Sequence, residues 1–361
     1  MKIAVRAGLL SAAFGAAIAA TPAAADPVKD FYAGPGNKMQ FVIRSTPGGG
    51  YDLLTRLLAR HLGRFIPGNP NLTPVNMPGG GGIVAANYLY LVAPKDGTVL
   101  EIISQGLPVD QALGLSPQLK ADMKKLNWIA SVVNSNQLLV TWNTSKTKTL
   151  DDAKNRVTTI GSTGAGSVSV QLPALYNNVL GTKFKIIFGY RGGHAIDLAM
   201  ERGEVEGRGT NPFTDWMAAK PTWIPEKKII PIIQVGLKKE EALPDVPLLL
   251  DQKVSPEHKP VVEFMSKAAT LGRPLATTPG VPKERVEALR KAFFAMIKDP
   301  KFIEDARKSN STIRPQTGPE LAALVASIID TPDDVKQRVK DVLRPKDADA
   351  QKVAGGGKKK K

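Results

Sequence analysis

Cysteine is absent from the 361 residues, which excludes disulfides, thiol nucleophiles and cysteine-ligated metals. Histidine is scarce: His61, His194 and His258 stand far apart, without metal-ligand spacing. His61 is expected on a basic helix face and His258 in a polar loop, both at the surface, whereas His194 follows a glycine pair and could approach a cleft. Aromatic residues make up only 6% and no nucleic-acid-binding motif accompanies the positive charge, so nucleic acid is not an expected partner. Beyond the amino terminus no stretch is long and apolar enough to cross a bilayer. Neither the Gly-Lys-Ser/Thr ending of a nucleotide-binding loop nor a Gly-x-Ser-x-Gly nucleophile elbow occurs in the glycine-rich turns described below.

What is present begins with Lys2 and Arg6, an apolar run from Ala7 to Ala20, and Ala23-Ala24-Ala25 before Asp26. This reads as a secretory signal over residues 1–25, so the protein is expected to be exported. Basic residues number 49 against 33 acidic ones, a net charge of +16 that suits attraction of acidic small molecules. The organising stretch is Phe41 to Asp52: a short strand, the turn Pro47-Gly48-Gly49-Gly50, and a helix whose stripe is Leu53, Leu54, Leu57, Leu58 and Leu62. Glycines between a strand and a helix leave backbone amides uncovered at the positive end of a helix dipole, a natural place for a carboxylate. Leu72 to Met77, Pro78-Gly79-Gly80-Gly81-Gly82 and Ile83 to Val92 repeat the design. Two such turns on neighbouring parallel strands would face one another at the carboxyl end of a sheet.

Asp26 to Lys38 reads as a loosely held lead-in. Asp96-Gly97-Thr98 is a tight turn into a strand from Val99 to Ser104, and Gln105 at its end is a third candidate ligand contact. Strands are expected around Trp128 to Val133 and Gln137 to Trp142. Thr158 to Gly161, a turn, and a helix from Ser167 to Leu180 restate the strand–turn–helix logic, with Ser162, Thr163 and Ser167 placing hydroxyls at the helix start for capping or for ligand. Gly207-Arg208-Gly209-Thr210-Asn211-Pro212 precedes a buried strand from Ile229 to Val235. Helices follow from Pro256, from Pro282 to Ile297, and from Glu320 to Ile329. Residues 346–361 are polar, glycine-interrupted and lysine-rich, and read as a disordered tail.

The order of Pro47-Gly48-Gly49-Gly50-Tyr51-Asp52, Asn76-Met77-Pro78-Gly79-Gly80-Gly81-Gly82, Asp96-Gly97-Thr98, the run Gly161 to Ser167, Tyr190-Arg191-Gly192, Gly203-Glu204-Val205, Pro279-Gly280-Val281-Pro282 and Asp299-Pro300 resembles the substrate-binding receptors of tripartite tricarboxylate transporters, the Bug family. The likeness runs from Phe41 to Ile329. It implies an α/β, two-domain periplasmic binding protein of Venus-flytrap form, type II-like, with discontinuous domains: 26–131 and 265–345 in the first, 132–264 in the second. It also implies a monomeric receptor that takes a small organic carboxylate to membrane permease subunits, without cofactor, metal or catalytic residues. By the same resemblance one carboxylate is held by the loops of Gly48, Gly49 and Asp52 and of Gly79, Gly80 and Gly81. Selectivity is then expected from Ser162, Thr163, Ser167, Thr210 and Asn211. Arg208 is either a surface residue or, if it faces the cleft, a bidentate partner for a second carboxylate. A secreted hydrolase or lyase acting on a small organic acid is the alternative from another class; it would turn its acid over, whereas a receptor returns it unchanged.

Overall fold

The computed structural model describes residues 26–164, 167–345 and 350–352; the expected signal segment, most of the lysine-rich tail, and Ala165 and Gly166 of the third turn lie outside the described residues. The chain folds first into α1 (Pro27–Ala33), β1 (Lys38–Ile43), α2 (Gly50–Leu62), β2 (Asn71–Asn76), α3 (Ile83–Leu91), β3 (Val99–Ile102), α4 (Leu107–Leu113) and β4 (Asn127–Ser131). Alternation along β1 sends Met39, Phe41 and Ile43 to one face, against Leu54, Leu57, Leu58 and Leu62 of α2, and Val42 to the other, against Ala85, Ala86 and Leu89 of α3. Leu53, placed by spacing on the apolar stripe of α2, points outward and is exposed. The lead-in is not loose. Asp26 caps α1 by accepting from the N–H groups of Val28 and Lys29, Pro27 occupies its first turn, and Val28 and Tyr32 are buried one turn apart. Tyr32 also donates its hydroxyl to the Gly97 carbonyl at 3.2 Å.

A second set follows: β5 (Gln137–Trp142), α5 (Leu150–Asn155), β6 (Thr158–Ser162), α6 (Val168–Leu180), β7 (Phe184–Phe188), α7 (Gly193–Glu201), β8 (Gly207–Pro212), α8 (Phe213–Ala219), β9 (Ile229–Val235) and α9 (Lys259–Ala269). The chain then makes β10 (Pro274–Thr277), α10 (Lys283–Met296), α11 (Pro300–Lys308), β11 (Gln316–Thr317), α12 (Gly318–Ile329), α13 (Asp333–Leu343) and β12 (Ala350–Lys352). Two mixed sheets result, ordered β11-β4-β10-β3-β1-β2 and β12-β7-β6-β8-β5-β9. In the first, β1 runs parallel to β2 and β3; in the second, β6 runs parallel to β7 and β8. The architecture is the expected two-lobed one. Because β10 and β11 return to the first sheet, that lobe is assembled from separate chain segments.

Of the two expected passages between lobes, the outward one falls at the expected boundary and the return does not. The outward passage is at residues 132–136, between β4 and β5. The return is not at Met265, which lies inside α9 with Val261, Val262, Phe264 and Ala268 also buried. The helix runs on to Ala269, and Gly272, at φ +62°, turns the chain back toward β10. A third passage follows α12. Helix α13 leaves the first lobe and packs on α6 and α9 through Val339, Val342 and Leu343, with Asn178 Nδ2 donating to the Val342 carbonyl at 2.6 Å. Residues 350–352, which read as part of a disordered tail, pair parallel with the edge strand β7. Strand addition of this kind uses main-chain hydrogen bonds, for which side chains carry no signal.

Candidate functional site

The parallel strands of both lobes end toward the same cleft, and the loops leaving them line a cavity of about 150 Å³. From the first lobe it receives Arg44, Ser45, Gly49, Gly50 and Tyr51 after β1, Gly79, Gly80 and Gly81 after β2, and Ser104 and Gln105 after β3. Gly48 and Asp52 are beside it, not on its wall. Asp52 is buried and works behind the loop: it accepts from the Gly48 N–H at 3.0 Å, from Arg56 Nε at 2.9 Å and from Asn76 Nδ2 at 2.9 Å. Burial alone would raise this carboxyl, but these partners hold it below its ordinary value. Asp52 therefore ties the first glycine turn to the end of β2. Positive φ at Gly79, Gly80, Gly81 and Gly82, from +56° to +152°, gives the second turn a path that side-chain-bearing residues rarely follow. Gly49 sits at φ −87° and caps α2 in extended backbone, so its conformation does not require glycine.

The second lobe contributes Thr163, Gly164, Ser167, Ser169, Gly189, Tyr190, Gly192, Gly193, Arg208, Thr210 and Asn211. Ser162, expected among the ligand partners, is fully buried with its hydroxyl donated to the Ser169 carbonyl, and it is off the wall. Ser169, which carries no sequence signal, is the local hub: its Oγ accepts the Thr163 N–H at 3.0 Å and meets Ser167 Oγ at 2.6 Å. Ser167 therefore spends its hydroxyl on Ser169 and does not cap α6 with it. Thr210 Oγ1 donates to Gln137 Oε1 at 3.1 Å, leaving the buried Gln137 Nε2 unpartnered. His194 does not line the cavity; it lies across from the first turn, 3.4 Å from where a Cβ on Gly48 would sit. His61 is not a surface residue: its Nε2 is 2.8 Å from Asp305 and its ring stands edge-on to Phe302.

Three arginines dominate the electrostatics. Arg208 is buried yet reaches the cleft, so neither a surface role nor a free guanidinium describes it. Nη1 donates to Asp197 at 2.9 Å, Nη2 to Asn211 Oδ1 at 2.9 Å, and the group lies over the Trp216 ring. Burial keeps Asp197 above the ordinary carboxyl value, with Arg208 opposing it. Arg273, at the end of the return passage, is 2% exposed and donates to Asp215 of α8. Its guanidinium stacks 3.7 Å from the centroid of the Tyr51 ring. Burial brings it down to about 10, against the raising pull of Tyr51. The Tyr51 phenol is raised by burial but brought below its usual value by Arg273, Arg44 and a backbone hydrogen bond from Gln105. Arg44 stands at 4.4 Å from the same ring and donates Nη2 to the Gly81 carbonyl at 2.5 Å; its Nε is buried without a partner. The lobes are closed on one another. A Cβ on Gly81 would lie 3.1 Å from Ser167, and one on Gly50 would collide with the Asp215 carboxylate. Arg44, Tyr51, Asp215 and Arg273 escape a reading of the sequence because they come from three distant segments. The one local hint is charge inside apolar or strand-ending stretches, as in Leu271-Gly272-Arg273-Pro274.

No family model matches this chain, and no curated protein does. Solved structures do. The periplasmic binding protein BugD superimposes with a TM-score of 0.67 at 18% identity, over 87% of this chain and 98% of its own. MatC from Rhodopseudomonas palustris, solved with bound malate, gives 0.63 at 19% identity over 85% and 99%. The R. palustris protein Rpa4515, solved with adipate, gives 0.64 at 18% over 84% and 97%. These likenesses establish the architecture. It is the two-lobed periplasmic binding-protein fold, with the cleft between the lobes.

Proposed function

We propose that this protein is an exported receptor of the tripartite tricarboxylate transporter type, which captures a small carboxylate between its lobes and presents it to membrane permease subunits. The observation that carries the reading is the meeting of two glycine turns and Arg44 on the cleft floor, where first-turn amides of α2 and a guanidinium with an unpartnered Nε face one cavity. The resemblance of the glycine motifs and the fold shared with BugD, MatC and Rpa4515 support it. A receptor also accounts for the polar groups on the opposite lobe, which meet a ligand only when the cleft shuts. The test is a thermal-shift screen against a carboxylate library, followed by calorimetry and recovery of the bound acid. At least one carboxylate should raise the melting temperature and be recovered unchanged. Conversion of that acid during incubation would favour the hydrolase or lyase reading instead.

A further inference from the structure

The cleft holds more positive groups than one carboxylate needs, and the protein itself answers two of them. Arg208 is paired with Asp197, both under one-tenth exposed. Arg273 is paired with Asp215, both likewise buried, and the arginine more deeply than Arg208. Arg191 lines the cavity but is exposed to solvent, where its charge is screened. Among the described residues no carboxylate lies within ion-pair distance of Arg44, whose bonds are to the Gly81 carbonyl and whose Nε has none. The arrangement thus leaves one guanidinium without an ion-pair partner at the two glycine turns; among the described residues the only carboxyl it acts on is that of the buried Glu101, which burial drives toward the neutral form.

Asp215 decides more than charge. It belongs to α8 of the second lobe, yet its carboxylate rests against Gly50 in the first turn of α2 and on Arg273. A helix start beside a guanidinium is where an acidic group of a ligand would settle. Asp215 stands just behind the cavity wall there when the lobes are closed, packed on Gly50 and holding the guanidinium of the cavity-lining Arg273. A second ligand carboxylate would have to displace it, or be buried beside it with like charge and little water. The second-lobe wall combines the neutral groups of Thr163, Ser169, Thr210, Asn211 and Gln137, the last with a buried unpartnered Nε2, with Arg208, whose charge Asp197 answers, and the solvent-exposed Arg191. Such a wall hydrogen-bonds hydroxyl, carbonyl and amide groups.

Resting on the carboxylate-receptor reading above, we infer that the ligand is a monocarboxylate with a neutral hydrogen-bonding far end, and that Asp215 is the residue that excludes a second carboxylate. The cleft is thereby set apart from those of neighbours whose structures hold malate or adipate. It also reverses the sequence expectation for Arg208. That arginine does face the cleft, but Asp197 takes its charge, so it does not select diacids.

The experiment is calorimetry on the purified protein with matched pairs that differ only at the far end: succinate against succinamate, and adipate against adipamate and 6-hydroxyhexanoate. The expected result is that the monoacid of at least one pair binds ten-fold or more tightly than its diacid. Asp215→Asn, which keeps shape and removes charge, should shift that ratio toward the diacid by ten-fold or more. A thermal melt establishes that the variant folds; if it does not, Asp197→Asn and the wild-type ratio carry the decision. A diacid bound as tightly as its monoacid by the wild type, or an unchanged ratio in a folded Asp215→Asn, overturns the inference and leaves the receptor reading standing. Failure of every acid, with wild type and variants alike, removes both.

Discussion

At the scale of the residue, Glu101 is the least comfortable group in the protein. It lies in β3 between β1 and β10, opposite Val42 and Ala276, is wholly buried, and neither carboxyl oxygen has a hydrogen-bond partner. Burial pushes its carboxyl well above the ordinary range, and Arg44 opposes this only in part. The sign of the pH effect follows. A group whose folded value is raised contributes its full stability below the unfolded value and loses that contribution as pH rises through the folded one. Glu101 should therefore be tolerated at low pH as the neutral acid and become a burden in alkali. Glu101→Gln removes the ionisation at nearly constant volume. It should raise the melting temperature at about pH 8, by a free energy on the order of 1–3 kcal/mol, and change it little near pH 4.5. An equal shift at both pH values would mean that the carboxyl does not titrate with unfolding.

At the scale of the element, the glycine turns are not interchangeable position by position. Gly49 has φ −87° and no neighbour closer than 3.7 Å to where a Cβ would sit, whereas Gly81 has φ +72° and its Cβ would push into Ser167 and the Gly164 carbonyl across the cleft. Gly81→Ala should thus weaken binding of whichever carboxylate the screen identifies by about ten-fold or more, combining roughly 1–2 kcal/mol of backbone strain with obstructed closure. Gly49→Ala should leave the melting temperature within about 1 °C, since the position, although buried, would form only ordinary contacts of 3.7 Å or longer and its backbone suits alanine. Similar affinities for the two variants, by calorimetry, would contradict this division. The turns themselves are legible because strand, glycine run and apolar helix stripe are local signals, and β1 to α3 lie close to where those signals put them. Helix α1 is not, because its seven residues are too few for a repeating stripe, Val28 and Tyr32 being its one buried pair, and the Asp26-Pro27 cap is the other mark. The charged groups of the cleft are illegible for a different reason. Arg44, Asp215 and Arg273 meet only through closure of the lobes, and no spacing in the chain encodes that.

At the scale of the whole molecule, the lobes are joined by three passages, and the last delivers a helix that touches both. Helix α13 packs on α6 and α9 of the second lobe and on α4 of the first, burying Val339, Val342 and Leu343. Those side chains belong to one continuous apolar cluster with Leu107 and Leu113 of α4 and Leu172, Leu175 and Tyr176 of α6. A helix buried against both partners couples their unfolding, because neither lobe can melt without exposing part of its face. Leu343, 2% exposed, is the place to test this. Leu343→Ala removes buried methyl groups and leaves a partial cavity, a loss on the order of 2–5 kcal/mol at core positions, with the lower figure expected at a helix end. In urea the wild type should unfold in one transition when followed by tryptophan fluorescence, since Trp128 lies in the first lobe and Trp142, Trp216 and Trp223 in the second. Leu343→Ala should lower the midpoint and separate the transition into two, as the lobes lose their common helix. Lys340→Ala, on the less buried face of the same helix, is the control and should leave a single transition. If Leu343→Ala shifts the midpoint but keeps one transition, α13 stabilises the second lobe alone and the coupling resides in the passages at residues 132–136 and 270–273.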